Sequence, residues 1–89
     1  MSWTWQYKNI TSAATTVVVA GPCELMGITV NKGVASATVT VYDNASAGSG
    51  TTIATIAADN PGNFFYGTRC KNGLTIVTSG ATDITVNYA

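Results

Sequence analysis

Ala37-Thr38-Val39-Thr40-Val41-Tyr42 decides the fold. Apolar and hydroxyl-bearing residues alternate strictly, so an extended chain puts Ala37, Val39 and Val41 on one side and Thr38, Thr40 and Tyr42 on the other. A helix would scatter those apolar side chains around its axis, whereas a half-buried strand gathers them on a core. The same alternation recurs downstream. Ile84 and Val86 alternate with Asp83, Thr85 and Asn87, and Leu74 and Ile76 face one way while Val77 adds an apolar residue to the other face.

Working outward, turn-forming clusters of Gly, Asn, Ser and Pro separate further segments of this kind. They delimit eight expected strands: Thr4 to Ile10, Thr15 to Ala20, Glu24 to Asn31, Ala37 to Asp43, Thr51 to Ala57, Phe64 to Cys70, Leu74 to Thr78 and Asp83 to Tyr88. Thr occupies 15 positions, Val 9 and Ile 6, while Leu appears twice and Glu once, a composition suited to pleated surfaces and poor for helices. The expected fold is all-β, an antiparallel two-sheet β-sandwich of Greek-key or jelly-roll type with about eight short strands. Residues 1–89 form one domain, with residues 1–10 open to a second reading as an N-terminal arm. Ser79-Gly80-Ala81-Thr82 joins two strongly alternating runs and is expected to be a hairpin loop.

The chain has 89 residues, 4 Lys+Arg, 4 Asp+Glu, no His and 9% charged residues. A domain of this size hides only about 60–65% of its unfolded surface, so its core is thin and self-association is the expected supplement. A neutral balance with only Lys8, Lys32, Arg69 and Lys71 as cations cannot neutralise many phosphates, which argues against a nucleic-acid partner. The longest aliphatic run, Val17 to Ala20, is far short of a membrane helix. Met1-Ser2-Trp3-Thr4-Trp5 lacks the basic and apolar regions of a secretory signal, so the protein is expected to fold where it is made. Low charge is poor protection for a free monomer, and the sequence reads as a subunit that ends up covered.

Chemistry-bearing groups are sparse. With no His and only Glu24, Asp43, Asp59 and Asp83 as acids, no nucleophile has a base, no pair of carboxylates is set for acid–base work, and no calcium loop is complete. Asp43 reads instead as a turn former that bonds its own backbone. Neither enzyme activity, cofactor nor metal is expected. Cys23 and Cys70 lack a CxxC partner, and they are open to two readings, buried free thiols or a disulfide closing a long loop.

The aromatic residues stand out. Trp3, Trp5 and Tyr7 follow a period of two and share one face of an extended chain, where they could cap the core edge, form a subunit interface or offer a sugar-stacking platform. Phe64, Phe65 and Tyr66 are consecutive, so at least one ring must leave the core side. These six are the expected interface residues.

The stretch from Val39 to Thr51, including Tyr42-Asp43-Asn44-Ala45-Ser46-Ala47-Gly48, and the stretch Lys71-Asn72-Gly73-Leu74-Thr75-Ile76-Val77 continuing to Val86 resemble small virion proteins of tailed bacteriophages and prophages. Gly27-Ile28-Thr29-Val30 fits the same pattern. The resemblance covers about two thirds of the chain and is carried by β-strand and turn words. It implies a non-enzymatic structural role in the virion: a capsid decoration (cement) protein binding the major capsid protein and stabilising the head shell. Alternatives are a tail or head-fibre component, or a glycan-binding adhesion module using exposed aromatics. A homo-oligomer is expected, with a trimer suited to local three-fold axes.

Overall fold

The computed structural model describes residues 5–89, which fold into eight strands and no helix. The strands are β1 (Gln6–Ile10), β2 (Thr15–Val19), β3 (Cys23–Lys32), β4 (Thr38–Asp43), β5 (Thr51–Ala57), β6 (Gly62–Cys70), β7 (Leu74–Thr78) and β8 (Asp83–Tyr88). They form two antiparallel sheets of four, ordered β1-β8-β3-β6 and β2-β7-β4-β5. β4 pairs with β5, β3 with β6, β2 with β7 and β1 with β8, as if one long hairpin had been rolled up. That nesting is the strand order of a jelly roll.

The alternating runs set the sandwich. Leu25, Ile28, Val30, Ile84 and Val86 of the first sheet meet Val39, Val41, Ile56, Leu74 and Ile76 of the second, all essentially fully buried. Ala37 is also buried, just ahead of β4. Gln6–Ile10 is laid against β8 of its own chain, while Trp3 and the expected first strand residue Thr4 lie outside the described residues.

Ser79–Thr82 is not a hairpin loop. β7 lies in the second sheet between β2 and β4, and β8 lies in the first between β1 and β3, so the segment crosses from one sheet to the other. Both strands are central and have their two edges taken, which leaves them no free side on which to pair with each other. The crossover is fastened to β4, with Ser79 N donating to Thr38 O at 3.0 Å and Thr38 N donating to Ser79 Oγ at 2.8 Å. β4–β5 is the hairpin of the sandwich.

Segment 44–50, which joins β4 to β5, folds back over the outer face of the second sheet. Asn44 Oδ1 accepts from Ser46 N and Ala47 N, its amide donates to Ser49 O, and Thr75 Oγ1 donates to Asn44 O at 2.7 Å. Gly48 sits directly on the Val77 side chain: a Cβ there would lie 2.5 Å from Val77 Cγ2. This cover explains why β7 can be apolar or buried on both faces.

Among the described residues, Thr82 Oγ1 is a fully buried side-chain oxygen without a partner. Removing an orphaned hydroxyl while keeping its shape relieves a desolvation cost. Thr82→Val is expected to hold or raise stability, by up to about 1 kcal/mol, as read from the urea midpoint.

Candidate functional site

The outer face of the first sheet carries the exposed aromatics. Register places Tyr7 opposite Asn87, Asn87 opposite Gly27, and Gly27 opposite Phe65, so these four form one row across β1, β8, β3 and β6. Asn9, Thr85, Thr29 and Asn63 make the next row. Tyr7 is 72% exposed, Phe65 78% and Trp5 56%, values that exclude a role as core caps. Phe64 and Tyr66 instead turn inward and pack, half-buried, against the core. Of the six aromatic residues expected at an interface, the structure therefore brings Trp5, Tyr7 and Phe65 to one outer face and gives Phe64 and Tyr66 core contacts. Trp3 lies outside the described residues.

At the centre of the upper row Gly27 has no side chain, and the backbones of β3 and β6 come close. A Cβ on Gly27 would lie 2.9 Å from Phe64 O and 3.5 Å from Phe65 Cα. Gly27 lies in the lining of a cleft of about 340 Å³ walled by Trp5, Met26 and Phe65, with Thr29, Asn63 and Asn87 at its polar side. Thr29 Oγ1 donates to Asn63 Oδ1 at 2.7 Å, which fixes that amide and leaves its NH2 as donor. The polar row continues beyond the cleft, where Asp83 Oδ1 accepts from the Asn9 amide at 2.7 Å and from the Asn31 amide at 3.2 Å. Those two amides hold the Asp83 carboxyl below its ordinary value.

Sequence reasoning found the aromatic walls and missed Gly27, Met26, Thr29, Asn63 and Asn87. The signal for Gly27 was present: an isolated glycine inside a branched apolar strand marks a bulge or a close backbone approach. The amides could not be placed without strand register.

Asp43 is not a turn former for its own segment. Its Oδ1 accepts from Asn72 N at 2.7 Å and Gly73 N at 3.2 Å, and its Oδ2 from Lys71 N at 3.1 Å. The carboxylate thus caps the distant β6–β7 turn, while Asn44 organises the adjacent loop. The Asn72 N–H is the first cause of a pKa below the ordinary 3.8. A depressed carboxyl contributes stability above its unfolded pKa and loses it as pH falls through the folded one. Asp43→Asn is therefore expected to lower Tm at neutral pH, and the gap from the parent should close as melts are repeated at pH values below about 4.

Cys23 and Cys70 are free, buried cross-strand partners on β3 and β6. Burial pushes the Cys70 thiol up to about 12, with the neighbouring Cys23 adding to the rise, and burial likewise raises Cys23. Both stay protonated near neutrality and pack as small apolar groups.

No group of three or more His, Cys, Asp or Glu among the described residues could hold a metal ion. Comparison with protein-family models matches none, and comparisons with curated proteins and with solved structures find no match.

Proposed function

We propose that this jelly roll is a non-enzymatic structural protein of a phage virion, a decoration subunit that binds the head shell and stabilises it. The observation that carries the reading is the unguarded edge of the second sheet. Exposed edge strands invite pairing with other chains, and proteins usually blunt them with Lys, Pro or charge. The first sheet follows that rule, with Lys8 on edge strand β1 and Arg69 on edge strand β6. The second does not.

Its edges, β2 (Thr-Thr-Val-Val-Val) and β5 (Thr-Thr-Ile-Ala-Thr-Ile-Ala), contain no charged residue and no proline. Each has one register shift, and in β5 it falls near the start, leaving Ala54–Ala57 regular against β4. The second sheet's strands carry a single charged side chain, Asp43, already occupied by three backbone N–H groups. Val17 adds exposed apolar surface on β2. A neutral, Thr-rich edge of this kind suits a seam, where a neighbouring copy or the major capsid protein would complete the ladder.

Binding only to the assembled shell would stabilise that state by mass action. A trimer about a local three-fold axis fits the same seam. Quantitative mass spectrometry of purified particles tests the reading. A copy number near that of the major capsid protein supports decoration. A handful of copies would move the chain to tail, vertex or fibre, and no copies would overturn the virion reading.

A further inference from the structure

The cleft on the other sheet has a chemistry of its own. Its walls are an indole, a phenyl ring and a thioether, its floor is the Gly27 backbone, and its polar atoms belong to two amides and a hydroxyl. Among the described residues, those that line it are all uncharged. At about 340 Å³ it lies at the lower end of the roughly 300–1,000 Å³ that small-molecule sites occupy, and it combines apolar walls with a few placed polar groups as such sites do.

Each feature narrows the ligand. Exposed aromatic faces stack on flat, partly apolar surfaces. Asn87 offers a donor and an acceptor, Asn63 keeps its NH2 as a donor, and the Thr29 hydroxyl, its proton given to Asn63, accepts, which matches a ligand whose hydroxyls do both. The neutral lining offers nothing to compensate a phosphate, carboxylate or ammonium, each of which would lose water on entry without gaining a partner of opposite charge. That disfavours nucleotides and acidic sugars although both carry stackable faces. A neutral pyranose has what remains: one face of C–H groups to lie on Trp5 or Phe65, and a rim of hydroxyls to meet Asn63, Asn87 and Thr29. The Thr29–Asn63 hydrogen bond sets one of those amides before any ligand arrives.

We infer that the cleft between Trp5 and Phe65, floored by Gly27, binds an uncharged pyranose unit of a glycan. The assignment does not rest on attachment to a shell, because the unguarded β5 edge belongs to the other sheet. The two surfaces can be occupied at once.

The test is a titration of the full chain, labelled with 15N, with glucose, galactose, mannose, N-acetylglucosamine, lactose, maltose and cellobiose, and with glucuronic acid and glucose 6-phosphate as charged controls. At least one neutral sugar is expected to move the amides of Gly27, Phe65 and Asn87 saturably, and more strongly than either charged control. Trp5→Ala and Phe65→Ala should each weaken that binding about tenfold, the order set by losing one stacking partner. Both side chains are exposed, so the dispersed β-sheet spectrum should persist. Asn87→Ala should weaken binding without touching a stacking wall.

The assignment is overturned if no neutral sugar moves these amides, if charged sugars bind as well, or if binding survives both aromatic substitutions. Shifts of the same amides with protein concentration alone would give the cleft to a second copy and overturn it equally.

Discussion

If the proposed decoration role holds, lysines placed together at Thr55 and Ala57 are expected to cut attachment to particles by about a hundredfold or more while leaving the isolated domain as stable as before, within about 0.5 kcal/mol. Both positions are exposed on β5, and neither side chain enters the core. In a seam the new ammonium groups would be stripped of water without a carboxylate to meet them, a loss of several kcal/mol. The measurement is co-sedimentation with stripped particles, alongside a thermal melt of the free variant. Lys8→Ala on the guarded edge of the first sheet serves as the control and should leave attachment unchanged.

Leu25→Ala is expected to cost about 2–5 kcal/mol, a large share of the roughly 5–15 kcal/mol that holds a domain of this kind together. Leu25 is fully buried beside the register shift in β3, where Tyr88 and Thr68 face it from the two flanking strands. The methine and two methyl carbons removed there leave a cavity whose collapse the two hydrogen-bonded flanking strands resist. Tm should fall by at least about 10 °C at this chain length. Phe65→Ala deletes a larger side chain yet should change stability by less than about 0.5 kcal/mol, because its ring is already in water. Urea titrations of the two variants, compared at equal slope, check the contrast.

That contrast shows what the sequence could reveal. Period-two alternation told Val39 and Val41 from Thr38 and Thr40, and Ile84 and Val86 from their neighbours, because a buried face admits only one register of side chains. The strands at Thr51–Ala57, Leu74–Thr78 and Asp83–Tyr88 could be delimited to the residue, and the sandwich class followed from their number and spacing. Strand pairing was not legible. A short Gly-containing loop between two alternating runs looks alike whether the chain turns back within a sheet or arches to the opposite one, and Ser79–Thr82 does the second. The choice is made by distant strands: β2 and β4 claim the edges of β7, and β1 and β3 those of β8.

The candidate site divides the same way. Trp5, Tyr7 and Phe65 were visible as aromatic residues at strand spacing, and Phe65 alone of its run reaches the outer face because Phe64 and Tyr66 occupy the inward positions. Gly27 and Asn87, far apart in the chain, meet only through the β3–β8 ladder. Asp43 makes the same point in electrostatics. Its partners lie in the turn at Lys71–Gly73, so a local reading assigned it to its own loop, where Asn44 does that work.

In the proposed decoration role the β5 edge is covered once the protein sits on the shell. Hydrogen exchange across Thr51–Ala57, compared between free subunit and purified particles, measures that directly. Amides of Ala54–Ala57 that do not bond to β4 should exchange fast in the free protein and slow by two orders of magnitude or so on the particle, as a neighbouring chain completes the ladder. Equal exchange rates in the two states would contradict the account.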